Sequence, residues 1–149
     1  MASAIQFRLK RNEISPDIRH KLARVENRRP VLEAMGLQLV SLTRRAFTDS
    51  SLRPSTWPPR KKPVSWQILR KSGTLWKSIR VTDTTNNSVT VGSDRPYAAV
   101  HQLGSSKSTG RGGGIPARPF FPVLDGKLTA IAHKKIDEIA LAKIATMLK

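Results

Sequence analysis

The side chains best suited to chemistry are few in this chain and lie far apart. His20, His101 and His133 are isolated from one another, none is followed by a second histidine at i+3 or i+4, and no His-Glu-x-x-His pattern occurs. The 10 acidic residues are dispersed, and the adjacent pair Asp137-Glu138 points two ways around a helix, which makes a poor acid–base couple. The absence of cysteine excludes disulfides, cysteine-based zinc sites and thiol catalysis. No Gly-x-Ser-x-Gly elbow presents a serine nucleophile. The glycine-rich stretch 104–114 invites comparison with a phosphate-binding loop. That motif needs glycine immediately before Lys-Ser/Thr, so that backbone amides can curl around the phosphate, and here Ser106 precedes Lys107. What remains is a basic loop able to touch a phosphate without acting on it. The expectation is a protein that is not an enzyme and uses no cofactor and no metal.

Charge is the strongest compositional signal. The 149 residues carry 27 Lys and Arg against 10 Asp and Glu, a net charge of +17. Such a field draws polyanions, nucleic acid first among them, and an acidic protein surface is the alternative partner. The basic excess is spread over both halves of the chain, and its longest pure run is Arg60-Lys61-Lys62. Aromatic residues do not interleave with it as they do on a base-stacking platform. Sequence-blind contact is therefore expected over base reading. No apolar run approaches the ~20 residues of a membrane-spanning helix, and the first residues lack the basic and then apolar regions of a signal peptide. A soluble protein made in a cytoplasm is the default.

The elements that must position these residues are legible from periodicity. Ile5, Phe7 and Leu9 alternate with polar residues as a half-buried strand does. Ser15-Pro16 reads as a helix cap and first turn, followed by Ile18, Leu22 and Val25 on one face. A second helix spans about Pro30 to Phe47, with Leu32, Met35, Leu39, Leu42 and Ala46 as its stripe. Gly36 within it signals a close approach by another backbone. Residues 48–65, with four prolines, read as a long and mobile connector, part of which packs down through its tryptophan. Ser72 can cap a short turn holding Leu75, Trp76 and Ile79. Strands follow at Ile79–Thr84 and Ser88–Gly92, joined by an Asn86-Asn87 turn. Tyr97 to Gln102 is a short helix ended by Gly104, residues 104–114 form a second mobile loop, and Ile115–Phe120 reads as a fourth strand. Leu128, Ile131, Ala132, Ile136, Ile139, Ala140 and Ile144 mark a terminal helix. The fold class is α+β: one domain over 1–149, with a small antiparallel sheet of about four strands carrying helices on one face, and long loops.

Several residues have two readings. Trp57 and Trp76 are either core fillers or interface anchors; the core suits Trp76, and for Trp57 both stay open. Tyr97 and His101, at i and i+4, share a face and are expected to pack on the sheet and fix the start of the loop. Arg118, set between Pro116 and Pro119, has a pre-extended backbone and either bonds within the subunit or reaches a neighbour.

Read in order, the segments Arg44-Arg45-Ala46-Phe47, Trp57-Pro58, Ser72-Gly73-Thr74-Leu75-Trp76-Lys77-Ser78-Ile79, Val91-Gly92-Ser93, Tyr97-Ala98-Ala99-Val100-His101-Gln102-Leu103-Gly104 and Ile115-Pro116-Ala117-Arg118-Pro119-Phe120 resemble the phage virion morphogenesis family, the tail-completion proteins of Mu-like and related tailed phages. The resemblance covers nearly the whole chain. It implies a structural virion protein acting in tail completion and head–tail joining. Such a protein forms a homo-oligomeric ring, often of six copies, at the head-proximal end of the tail, between the tail tube protein and the head–tail connector or neck proteins. The implied location is the virion, after assembly in the host cytoplasm, with sequence-nonspecific DNA in the channel as a further partner and no membrane. The rival reading is a basic nucleic-acid-binding protein without a ring. Residues expected at subunit or partner contacts are Trp57, Tyr97, His101, Arg118 and Phe120. Those expected at a polyanion are Arg60, Lys61, Lys62, Lys107 and Arg111.

Overall fold

The computed structural model describes residues 5–60, 65, 68–69, 73–105 and 114–148. In chain order these form β1 (Ile5–Lys10), α1 (Pro16–Ala23), α2 (Arg29–Arg45), α3 (Thr74–Lys77), β2 (Arg80–Thr84), β3 (Ser88–Ser93), α4 (Ala98–Leu103), β4 (Val123–Leu124), β5 (Lys127–Leu128) and α5 (Ala130–Met147). The fold is α+β. β3 is the central strand of an antiparallel sheet ordered β1-β3-β2. Leu9 pairs with Val89, and Phe7 and Val81 both flank Val91, so the apolar members of all three strands fall on one face. α2 packs on that face, α5 packs on α2, and α1 packs on α5.

α2 buries more than the single stripe expected of it. Leu32, Met35, Leu39 and Leu42 are buried, and so are Val31, Gly36, Val40 and Thr43. The wide arc follows from its position between the sheet and α5. Thr43 is tolerated inside because its hydroxyl donates to Leu39 O at 2.7 Å. Gly36 marks a close approach, but to side chains of the hairpin and not to a backbone. A methyl group placed there would sit 2.5 Å from Val89 Cγ2 and 3.1 Å from Val81 Cγ2.

α5 turns a narrower face inward than its apolar residues suggest. Ala132, Ile136, Ala140 and Ile144 are buried at intervals of four, whereas Ile131 and Ile139 are exposed. Alternating small and large residues suit this helix to close packing on α2. Thr129 caps it, its hydroxyl accepting from Ala132 N. Ser15 does not cap α1. Its hydroxyl instead donates to Asp137 Oδ2 at 2.6 Å, which ties the start of α1 to α5. Ser72, the expected cap of α3, lies outside the described residues; Gly73 precedes that helix with φ +74°.

The expected fourth strand at Ile115–Phe120 is not formed: among the described residues the sheet has three strands, not four. Among residues 115–120 only Ile115 makes a β-bridge, with Ser105. Pro116 and Pro119 have no N–H to give a ladder, and the N–H groups of Arg118 and Phe120 are bound by α4, as described below. A two-stranded hairpin that periodicity missed, β4–β5, lies just downstream. It turns on Asp125 and Gly126, both at positive φ. At the β2–β3 turn neither asparagine takes positive φ; Asn86 acts through its side chain and Asn87 through its backbone. Asn86 Oδ1 accepts from Arg28 N at 2.7 Å, and this pins the hairpin tip to the start of α2.

The contact at Gly36 sets a first expectation. Gly36→Ala gains up to about 1 kcal/mol of helix propensity, but it forces a methyl onto a fully buried valine of the central strand. Overpacking of this kind costs about 1–3 kcal/mol, so net destabilisation is expected in urea unfolding. Val89→Ala in the same chain should relieve part of it. Additive effects of the two changes would refute the steric account.

Candidate functional site

The segments that carry the family resemblance converge on one region, where α4 and residues 115–121 clasp each other. Gln102 is buried, and its Oε1 accepts from both Phe120 N (2.9 Å) and Phe121 N (3.0 Å). Arg118 N donates to His101 O at 2.7 Å. Ser105 and Ile115 exchange two backbone bonds, of 2.9 and 3.1 Å. Between them Gly104 ends α4 at φ +77°, with Ala117 N 2.9 Å from where a Cβ would sit; both conformation and space demand glycine here. Four amides of a strand-like segment, those of Ile115, Arg118, Phe120 and Phe121, are thus satisfied without a sheet.

The connector after α2 closes the other side. Trp57 Nε1 donates to Pro119 O at 2.8 Å, and its ring stands edge-on to Phe47 at 6.1 Å. The Arg53 guanidinium lies 3.7 Å above the same ring while its Nε donates to Ala46 O and its Nη2 to Phe47 O, capping the C-terminus of α2. Arg118 directs Nε and Nη2 at Pro58 O, at 3.0 and 2.9 Å, and Nη2 also reaches Pro59 O. Phe120 is fully buried, 5.1 Å from Phe47 and 5.2 Å from Phe121. Trp57 and Phe120 are interior residues, and Arg118 bonds within its own subunit, to carbonyls and not to a carboxylate. Ser78 and Ser93, from two further motifs, share a 2.6 Å hydroxyl contact, and Ser93 Oγ accepts from Arg95 N. Arg44 Nη2 donates to Ile79 O at 2.7 Å, which holds the end of α3 to α2.

Tyr97 and His101 meet edge to face at 6.0 Å, and Tyr97 is exposed. His101 Nδ1 is buried without a hydrogen-bond partner. Burial, and secondarily the Arg118 charge, holds the His101 pKa below the ordinary histidine value. His133 pairs with Asp137 at 3.1 Å, the same carboxylate that binds Ser15. A cavity of about 440 Å³ lies between β1, the β4–β5 turn and α5, lined by Phe7, Leu9, Glu13, Gly126, Lys127, Leu128 and His133. Its ionisable groups include no nucleophile–base pair. Among the described residues no group of three His, Asp or Glu could hold a metal, and no helix is long and apolar enough to cross a membrane. Of the polyanion set only Arg60 is described; Lys61, Lys62, Lys107 and Arg111 lie outside the described residues.

A clasp of buried amide bonds and proline carbonyls is an architectural site, built to hold a loop and present a surface. Residues 10–144 match the model of the phage virion morphogenesis family. The chain belongs to that family, and its role is a structural or assembly one in the phage virion. Over 35 residues it is 54% identical to the Mu-like prophage FluMu G protein 2 of Haemophilus influenzae, a match covering 24% of this chain and 25% of that protein. The chain thus spans about a quarter of the length of this curated relative. No solved structure matches it.

Two outcomes test the clasp. Gln102→Met keeps the bulk but strands two buried N–H groups, each worth about 1–3 kcal/mol. A loss of roughly 2–4 kcal/mol is expected in denaturant unfolding; a loss within error would mean that water or another acceptor replaces the amide. His101 sets a pH dependence. The unfolded chain protonates it near pH 6.5, the folded chain only at lower pH. Between the two the unfolded state binds more protons, so stability falls as pH falls. Wild type should lose more stability between pH 7 and 5 than His101→Gln. Parallel profiles would place His101 in a solvated setting.

Proposed function

We propose that this protein completes the tail and prepares it to join the head, assembling as a ring of copies, six by the family resemblance, between the tail tube and the connector or neck proteins. The observation that supports the ring is the surface beside the clasp. Leu103 is 72% exposed, and Ile115 and Tyr97 are exposed at 41% and 40%, on backbone that the clasp holds in place. Apolar side chains fixed on a rigid frame and open to solvent mark an interaction surface, and the segments around them are those that carry the family resemblance. A ring subunit needs just such a face, presented to its neighbour without costly ordering on assembly. Tyr97 and His101 belong to this face; Arg118, Trp57 and Phe120 support it from beneath.

Leu103→Asp with Ile115→Asp tests the reading. Both side chains are exposed, so unfolding temperature should change little. Light scattering after gel filtration, alone or with tail tubes, should show wild type as a multimer and the variant at the 16.5 kDa of one chain. A variant that assembles like wild type would remove this face from the ring contact.

A further inference from the structure

Among the described residues the sheet carries helices on one face only, and its other face is basic. Gln6, Arg8 and Lys10 of β1 project there, with Ser88, Thr90 and Gly92 of β3 and Arg80 and Asp83 of β2. Arg8 is exposed and lies over the sheet with Nε on Thr90 Oγ1 at 3.3 Å. At the end of this face β1 runs into a tight turn, where Arg11 N donates to Asn87 O at 2.7 Å and joins it to the β2–β3 turn. The two turns enclose an open cleft of about 380 Å³ lined by Arg8, Lys10, Arg11, Asn12, Asn87 and Ser88. Arg19 flanks it, with Nη1 on Asn12 O at 3.1 Å.

The chemistry of this lining is uniform. It offers two guanidiniums, an ammonium, two amides and a hydroxyl, and no carboxylate. Glu13, two residues past Arg11, lines the separate cavity on the other side of β1. Asp83 is the carboxylate on this sheet face, on the far strand beyond Thr90. Asp94 is bound to Arg80 and Arg95 at the opposite end of β3. Among the described residues the side chains of Lys10 and Arg11 have no hydrogen bond or ion pair, so their charges are unneutralised.

We propose that this cleft binds the phosphate backbone of duplex DNA without reading its sequence. Arg, Lys, Asn and Ser are the side chains that contact phosphate oxygens and fix a protein on a duplex. The cleft has no aromatic residue on which an unpaired base could stack, which disfavours single strands. It also has no apolar or aromatic anchor of the kind that centres a protein–protein interface, which disfavours an acidic protein rim. The site is distinct from the apolar face beside α4 and does not depend on ring assembly. It also differs from the polyanion set expected from charge runs.

The test is fluorescence anisotropy with a mixed-sequence duplex of about 25 base pairs, between 50 and 200 mM salt. Each neutralised phosphate adds about 0.9 to the slope of log K against log salt. Arg8→Gln/Lys10→Gln/Arg11→Gln should cut the slope by about 2.7, so that the fourfold rise in salt weakens wild type about 40-fold more than the variant. Lys10→Gln/Arg11→Gln, which leaves the Arg8–Thr90 bond intact, should cut it by about 1.8, or about 12-fold. The control Lys134→Gln/Lys135→Gln/Lys143→Gln removes equal charge from α5 and should leave the slope near wild type. Equal losses in both triple variants would reduce the binding to a general field and overturn the site. So would an unchanged slope in the cleft variants, or no duplex binding by wild type at 50 mM salt. Loss of attachment to tails without loss of DNA binding would instead assign the cleft to an acidic protein. Light scattering on the same samples reports the oligomer independently, so failure of the ring and failure of the cleft are told apart.

Discussion

One buried acceptor organises the region that matters most. Gln102 Oε1 takes the N–H groups of Phe120 and Phe121, which would otherwise be stranded as Phe120 enters the core. A buried donor left unpaired costs more than most single contacts return. The amide and the Phe47–Phe120–Phe121 cluster therefore depend on each other. That cluster in turn seats Trp57, which holds the proline-rich connector through Pro119 O. The order of dependence runs from one glutamine through three aromatic residues to the connector and to the base of the loop.

The same logic explains why a strongly basic protein needs so little charge pairing inside. Arg44, Arg53 and Arg118 all bind backbone carbonyls: those of Ile79, of Ala46 and Phe47, and of Pro58 and Pro59. Carbonyls at helix ends and beside prolines lack ladder partners, and a guanidinium supplies several donors in one plane. Arginine here does the work that a fourth strand would have done. Among the described residues, cations such as Lys10, Arg24 and Lys134 stay outside, where they raise the field around the molecule without a desolvation cost.

The two outward features have different physical characters. Beside α4 the surface is apolar and braced by backbone bonds, as fits contact with another folded surface. Beyond the sheet it is cationic and polar, as fits the phosphate backbone of a duplex met through solvent. A virion assembly protein with both can be held by its neighbours on one side and face a charged partner on the other.

Much was settled by sequence alone. Period-two and period-four patterns gave β1, β2, β3, α2 and α5, and Gly36 announced a close contact, because burial of one face imposes its period on the chain whatever the neighbours are. The ordered motifs gave the family. The Asp125-Gly126 pair is a hairpin signal, but strands of two residues each are too short to show a period. Other features belonged to tertiary structure. An extended segment such as 115–120 looks the same in sequence whether its amides meet a strand or a glutamine, since pairing is decided by what arrives opposite. Whether Trp57, Phe120 and Arg118 face inward or outward depended on the aromatic cluster and on proline carbonyls some sixty residues away. The basic cleft exists only because antiparallel pairing sets Arg8 and Lys10 beside a turn more than seventy residues further along, a proximity that no local pattern records.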